Sequence, residues 1–268
     1  MITLAAALLA AGCSDEPASG EVLLLTYNVA GLPQGISKSN PATNIPLISP
    51  KLNAYDLVVV QEDFNYQDQL RKDVELPHQS VPQKTATTKS TFGDGLNRFS
   101  RFAFKEHQRA PFAKCYGADC LAAKGISVAL HELAPGVEVD IYNLHLEAGS
   151  KADDEAARAE HVDVLLKSIT SRSVGRALIV AGDFNLKRKD GAHDLKMLDR
   201  LAKEGGLLQA CDVLKCGDDR VDRVFFRSSD SLTFTALSRK VDETFRDSKG
   251  EELSDHEPLV VKLGWQQR

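Results

Sequence analysis

Carboxylates, amides and imidazoles stand at the ends of apolar runs in this chain, in positions from which strands could gather them at one edge. Asn28 follows Leu24 and Thr26, and Glu62 follows Val58 and Val60. Asn143 and His145 follow Val137, Val139 and Ile141, while Asp183 follows Ala177, Ile179 and Ala181. Alternate residues of a strand share a face, so each of these four strands presents an inward apolar face that turns polar at its C-terminal side. A single residue of this kind is ordinarily a strand-end cap or turn former. Four together describe a polar site drawn from distant parts of the sequence. The residue types suit a hard cation, which prefers carboxylate and amide oxygen, and proton transfer near neutrality, for which imidazole is matched.

The elements that must carry these residues are legible as apolar, β-rich runs at 22–29, 56–62, 126–133, 137–146, 177–184, 223–227, 232–237 and 258–265. Ser150 can cap a helix whose Val162, Leu165, Leu166 and Ile169 recur at helical spacing, and Leu195, Leu198, Leu201 and Ala202 line a second helix that stops near Gly205. Residues 78–116 show no clear period and read as long loops with a strand or two. No internal repeat or linker divides residues 21–268, which are expected to form one domain.

With 43% hydrophobic and 26% charged residues the chain is neither disordered nor a fibrous rod. Its net charge of −5 lowers the expectation of tight nucleic-acid binding without excluding a nuclease that only visits its substrate. Residues 2–12 are uncharged and run into Cys13, too short for the ~20 residues of a membrane span. The stretch Leu9-Ala10-Ala11-Gly12-Cys13 resembles the bacterial lipobox, which implies a lipid-modified Cys13 and a cell-envelope lipoprotein on the periplasmic side or outer membrane. An ordinary secretory signal is the alternative, and no Lys or Arg stands near Met1. Residues 1–20 are thus expected to be signal and tether, outside the fold. With Cys13 set aside, Cys115, Cys120, Cys211 and Cys216 form two local pairs, read as disulfides Cys115–Cys120 and Cys211–Cys216 rather than as a zinc site, whose spacing is normally tighter.

Six motifs in order, Thr26-Tyr27-Asn28-Val29, Gln61-Glu62, Asn143-Leu144-His145-Leu146, Gly182-Asp183-Phe184-Asn185, Asp222-Arg223-Val224-Phe225-Phe226 and Ser254-Asp255-His256-Glu257-Pro258, resemble those of the endonuclease/exonuclease/phosphatase superfamily, from about Leu23 to Leu263. The resemblance implies an α/β fold, a four-layer α/β/β/α sandwich of two mainly antiparallel sheets of the deoxyribonuclease I type, with metal-dependent hydrolysis of a phosphate ester. It implies that Asn28 and Glu62, with Asp255 adding an oxygen, hold Mg²⁺ or Mn²⁺. His256 is expected to act as general base, its imidazole fixed by Asp222. Asp183 and Asn185 would orient water and a phosphate oxygen, with base duty divided between Asp183 and His256, and His145 would stabilise phosphate charge or protonate the leaving group.

Within the superfamily, Tyr27-Asn28-Val29-Ala30-Gly31-Leu32-Pro33, Ala123-Lys124-Gly125-Ile126, the stretch from Asn143 to Gly149, and Phe245-Arg246-Asp247 ahead of Leu253-Ser254-Asp255-His256 are similar to the sphingomyelinase and phospholipase C-like branch. A lipid or small-molecule phosphodiester is the expected substrate, a monomer the expected state, and the membrane a partner through Cys13. A periplasmic or secreted metal-dependent endonuclease is the alternative, with Lys84, Lys89, Arg98, Arg101, Lys105 and Arg109 as its only basic stripe. Lys187-Arg188-Lys189 reads as a solvated loop face, and His131, His161 and His193 as surface or helix histidines. Aromatic residues total 6% with a single Trp265, and no membrane-inserting aromatic hairpin is visible.

Overall fold

A computed structural model of the chain describes residues 17–37, 39–83, 90–189 and 191–268. Cys13, Lys84 and Lys89 lie outside the described residues. In chain order the first half contains β1 (Ser19–Asn28), α1 (Pro41–Ile48), β2 (Leu57–Gln61), α2 (Gln67–Arg71), β3 (His78–Gln79), β4 (Asn97–Ser100), β5 (Phe104–Pro111), β6 (Gly125–Ala134) and β7 (Val137–His145). The second half contains α3 (Ala152–Arg172), β8 (Leu178–Asp183), α4 (Ala192–Gly205), β9 (Leu208–Gln209), α5 (Ala210–Leu214), β10 (Asp222–Arg227), β11 (Leu232–Val241) and β12 (Leu259–Gln267). Among the described residues no helix is long and apolar enough to cross a membrane.

The strands form two six-stranded sheets, ordered β11-β12-β1-β2-β4-β3 and β5-β6-β7-β8-β10-β9. Each is mixed, with one parallel pair, β1 with β2 and β7 with β8, among antiparallel neighbours. The alternation read from the sequence explains the layers. Val22 and Leu24 of β1 pack between the sheets against Val137, Val139 and Ile141 of β7 and Ile179 and Ala181 of β8. The opposite face of the second sheet takes Val162, Leu165 and Ile169 of α3 and Leu198 and Leu201 of α4, and that of the first takes Ile45 and Ile48 of α1 and Leu70 of α2. Helices therefore cover both outer faces, giving the expected four-layer α/β/β/α sandwich.

Several boundaries differ from the sequence reading. Ser19 and Gly20 belong to β1 rather than to a tether, because their backbone pairs with Gln266 and Trp265 of β12, and a Cβ on Gly20 would stand 2.7 Å from the Trp265 ring. The sole tryptophan is thereby a core residue. Residues 78–116 hold three strands, β3, β4 and β5, that close the edges of the two sheets. Lys151 rather than Ser150 is the N-cap of α3, and the Asp154 carboxylate reaches back to its backbone N–H at 2.9 Å. His131 is a buried strand residue, neither of the surface nor of a helix, whereas His161 is a helix residue, buried on α3, where it accepts from the Glu147 N–H and bonds the Lys114 carbonyl.

Cys115–Cys120 is a disulfide, spanning the 3-10 turn Gly117–Leu121. Cys211 and Cys216 are thiols, so the second expected bridge is absent. The turn between them is closed instead by the Cys216 N–H on the Cys211 carbonyl, 3.0 Å, while the Cys211 thiol is directed at the Asp218 carboxylate, which also takes the Arg239 guanidinium.

Polar side chains stitch the sheets together where the apolar seam ends. Gln61 Nε2 donates to Asn143 Oδ1 at 2.7 Å, and Asn143 Nδ2 donates to the Val60 and Asn97 carbonyls. Asn143→Ala removes all three contacts and orphans buried groups, and is expected to destabilise the fold by roughly 2–4 kcal/mol, read as a lower urea midpoint at unchanged slope.

Candidate active site

Strand register brings the predicted residues into one row. Parallel pairing sets His145, the last residue of β7, beside Asp183, the last of β8, and antiparallel pairing sets Asp183 beside Asp222, the first of β10. Across the seam Asn28 closes β1, and its Nδ2 donates to Glu62 Oε1 at 3.1 Å and Asp183 Oδ2 at 3.2 Å, joining the two sheets through one amide. His145 Nε2 lies 3.3 Å from Asp183 Oδ2 and 4.0 Å from Glu62 Oε1. His256 Nδ1 meets Asp222 Oδ2 at 2.8 Å, and its Nε2 stands 3.7 Å from Asp183 Oδ2. Ser254, given no role by the sequence reading, holds that loop in place: its Oγ donates to the Asn28 carbonyl at 2.7 Å and accepts the His256 N–H.

Glu62 arrives by a route that strand alternation does not describe. Leu57 and Val59 face the intersheet core, whereas Val58 and Val60 face the helix layer, so Gln61 is the residue whose parity points inward. The expectation that Glu62 shares an inward face with Val58 and Val60 is therefore corrected. Glu62 reaches the site because its backbone is left-handed, φ 57°, beyond the end of β2. Ala30 (φ 48°) and Asn185 (φ 47°) flank the site in the same conformation, which costs about 1–3 kcal/mol at a non-glycine residue. Gly31 makes the first turn possible, since a Cβ there would stand 2.5 Å from the Glu62 carbonyl. Asn185 Nδ2 donates to the Leu146 carbonyl, and its N–H to Asp183 Oδ1 at 3.0 Å.

Burial dominates the electrostatics. It pushes the Glu62 carboxyl up, and with the neighbouring charge of Asp222 it raises Asp183 to about 6. His145, fully enclosed, is held well below the ordinary imidazole range by burial and the Lys124 charge, so it is neutral. For His256 burial opposes the charged form, but the Asp222 hydrogen bond and the charges of Asp222, Asp183 and Asp255 outweigh it and raise the imidazole to about 10. At neutral pH the pair is an imidazolium and a carboxylate.

No family model matches the chain. Its sequence is 34% identical over 264 residues to a sphingomyelinase of Mycobacterium tuberculosis (strain ATCC 25618 / H37Rv), covering 91% of this chain and 52% of that protein. The chain spans about half the length of the curated relatives it matches. Among solved structures it superposes on a Staphylococcus aureus beta toxin mutant with bound magnesium ions (TM-score 0.68, 15% identity, 90% of this chain and 99% of that one). It also superposes on D. rerio TDP2 complexed with single-strand DNA product (TM-score 0.70, 18% identity, 91% and 98%). The chain has the deoxyribonuclease I-like fold of these structures, and the curated proteins whose sequences it resembles are named sphingomyelinases.

The donor set of this site fits a hard divalent cation at Glu62. Two carboxylates, Glu62 and Asp183, stand in one pit with a single amide between them, and the Glu62 side chain is one-fifth exposed at the mouth. Asn28 reaches a cation only through the second lone pair of Oδ1, because the first accepts the Ala30 N–H at 3.1 Å. Asp255, expected as a further ligand, is exposed and contributes charge beside His256. Asp183, Asp222 and His256 also present ligand atoms within 4.8 Å of one another, with His256 Nδ1 held on Asp222 Oδ2 at 2.8 Å. Lys124, quoted in the sequence but given no role, is buried beside the site with Nζ on Asp119 and the Leu146 carbonyl.

Among the described residues, every member of the basic stripe is buried or paired. Arg98 is fully buried and bonded to the Ile141 and Ser127 carbonyls, Arg101 pairs with Asp56, Lys105 with Glu138, and Arg109 with Asp94.

Because the folded-state affinity of His256 for its proton exceeds the ordinary value, its pairing stabilises the fold fully below about pH 6.5 and loses that contribution as pH rises through about 10. Asp222→Asn is expected to lower the urea midpoint most at pH 6, with the deficit shrinking by pH 10.

Proposed function

We propose that the chain is a metal-dependent phosphodiesterase whose substrate is a lipid phosphodiester. The observation that carries this reading is the convergence of Glu62, His145, Asp183, Asp222 and His256 at one mouth, as a chain of neighbours 2.8–4.0 Å apart. The sequence relationship to sphingomyelinases, the burial or pairing of every described member of the basic stripe and the net charge of −5 support a lipid over a polynucleotide. A cell-envelope location through Cys13 belongs to the same reading.

A divalent cation on Glu62 and Asn28 would supply Lewis-acid charge to the phosphate when bound. The residues of the chain supply the rest. Asp183, the carboxylate beside the His256 imidazolium, accepts the proton of the attacking water, while Asp222 holds the imidazole ring in place. Neutral His145 offers an N–H to the phosphate or the leaving oxygen from a position that needs no reorganisation. The Asn185 amide orients the other phosphate oxygen.

The test is release of phosphorylated head group by the purified chain from micellar sphingomyelin, phosphatidylinositol and phosphatidylcholine, beside duplex DNA, with Mg²⁺ or EDTA. Head-group release that needs Mg²⁺ is expected, with His256→Ala and Asp183→Asn each lowering kcat by about 10²–10⁴-fold. Glu62→Gln is expected to raise the Mg²⁺ concentration needed for half-maximal rate. DNA cleavage with the same dependences would replace the lipid reading, and silence on all substrates would overturn it.

A further inference from the structure

A cleft of about 370 Å³ opens beside the catalytic centre, and its lining is mostly apolar. That size lies in the range of small-molecule sites, ~300–1,000 Å³. Glu62 and His145 form its polar end. Phe64 and Phe92 pack against each other, ring centroids 5.6 Å apart, as one wall, and Leu121 stands on another. At the mouth Ile36 is 65% exposed and Leu121 49%, two large apolar side chains left partly in water.

The cleft is built rather than incidental. Phe92 N–H donates to the Leu121 carbonyl at 2.8 Å and Ala123 N–H to the Gly93 carbonyl at 3.1 Å, so two distant segments are fastened side by side. The Cys115–Cys120 disulfide closes the turn that carries Leu121, and the Asp119 carboxylate of that turn is tied to Lys124 at 2.6 Å. Gly95 lets Phe64 lie against the backbone, since a Cβ there would be 2.6 Å from its ring. On the Asn185 side the centre is bordered instead by a polar pocket of about 270 Å³, lined by Ser150, Glu155, Arg158 and Asp194. Polarity thus changes across the reacting position, as it does across the phosphate of an amphiphile.

We propose that the apolar cleft takes the hydrocarbon chain of the substrate's leaving alcohol, with Ile36, Phe92 and Leu121 setting how much of that chain is recognised. The inference rests on the phosphodiesterase reading and deepens it. His145 lines the cleft and His256 does not, so the apolar alcohol would lie beside the histidine to which the proposed mechanism gives the phosphate or the leaving oxygen.

The experiment uses soluble phosphodiesters with one common head group and alkyl alcohols of increasing length, from methyl upward, each below its micelle-forming concentration, with Mg²⁺ present. The expected result is a kcat/KM that rises by up to about fourfold per methylene and then levels off once the cleft is filled. Leu121→Asp and Ile36→Asp, on separate walls and each at an exposed position, are expected to flatten the dependence of kcat/KM on chain length, read as the ratio of long-chain to methyl ester within each variant. A flat series in the unaltered protein would overturn the cleft assignment while leaving the phosphodiesterase standing. So would a rising series that neither substitution alters, which would instead indicate adsorption to a lipid surface. Failure to hydrolyse even the methyl ester would overturn the phosphodiesterase reading and this inference with it.

Discussion

Two sheets packed face to face must do something with the polar residues at the end of their seam, where the apolar core stops and water has not yet begun. Here they satisfy one another across the gap. Asn28 on one sheet donates to Asp183 on the other, Gln61 donates to Asn143, and Asn143 returns bonds to the carbonyls of Val60 and Asn97. A buried amide without these partners would cost more than the contacts it makes. The alignment of the sheets and the spacing of the catalytic carboxylates are therefore one constraint: the amide that locks the sandwich also sets how far Glu62 sits from Asp183.

That economy leaves the site under load. Three non-glycine residues around it adopt left-handed backbone, and two carboxylates share a pit whose burial disfavours their charge. Such strain persists only where surrounding structure over-determines it. Here the surroundings are the paired ends of five strands, β1, β2, β7, β8 and β10, and the Ser254 hydroxyl that pins the His256 loop to β1. Conformational and electrostatic cost is concentrated at the positions that face substrate, and apolar burial elsewhere offsets it.

Period-two alternation made β1, β7 and β8 readable in the sequence, because each has one face on the intersheet core and a polar residue at the end of that face. The same rule misplaced Glu62, since a single left-handed residue moves a side chain to the other face and leaves no mark in composition. Residues 78–116 hold one strand more than the one or two expected: β3 has two residues, the buried β4 is mostly polar, Asn97-Arg98-Phe99-Ser100, and the edge strand β5 is largely exposed, so no alternating apolar pattern develops. Burial is equally silent. Nothing in the string of basic residues from Arg98 to Arg109 says that one is sealed in the core and the rest are paired. The two cysteine pairs have the same spacing and read alike in the sequence, yet only Cys115–Cys120 is joined, while Cys211 and Cys216 stand as neighbouring thiols. The catalytic list itself came from the order of the motifs, and the structure brings all of it to one place except Asp255.

The direction of β1 fixes how the domain can be held. Its ten residues run from Ser19, paired with Gln266 near the other end of the chain, to Asn28 in the catalytic mouth, a span of about 30 Å at a strand's rise per residue. Both described ends thus lie at the pole opposite the mouth. Any contact made at that pole holds the domain by its back and leaves the mouth facing away from it.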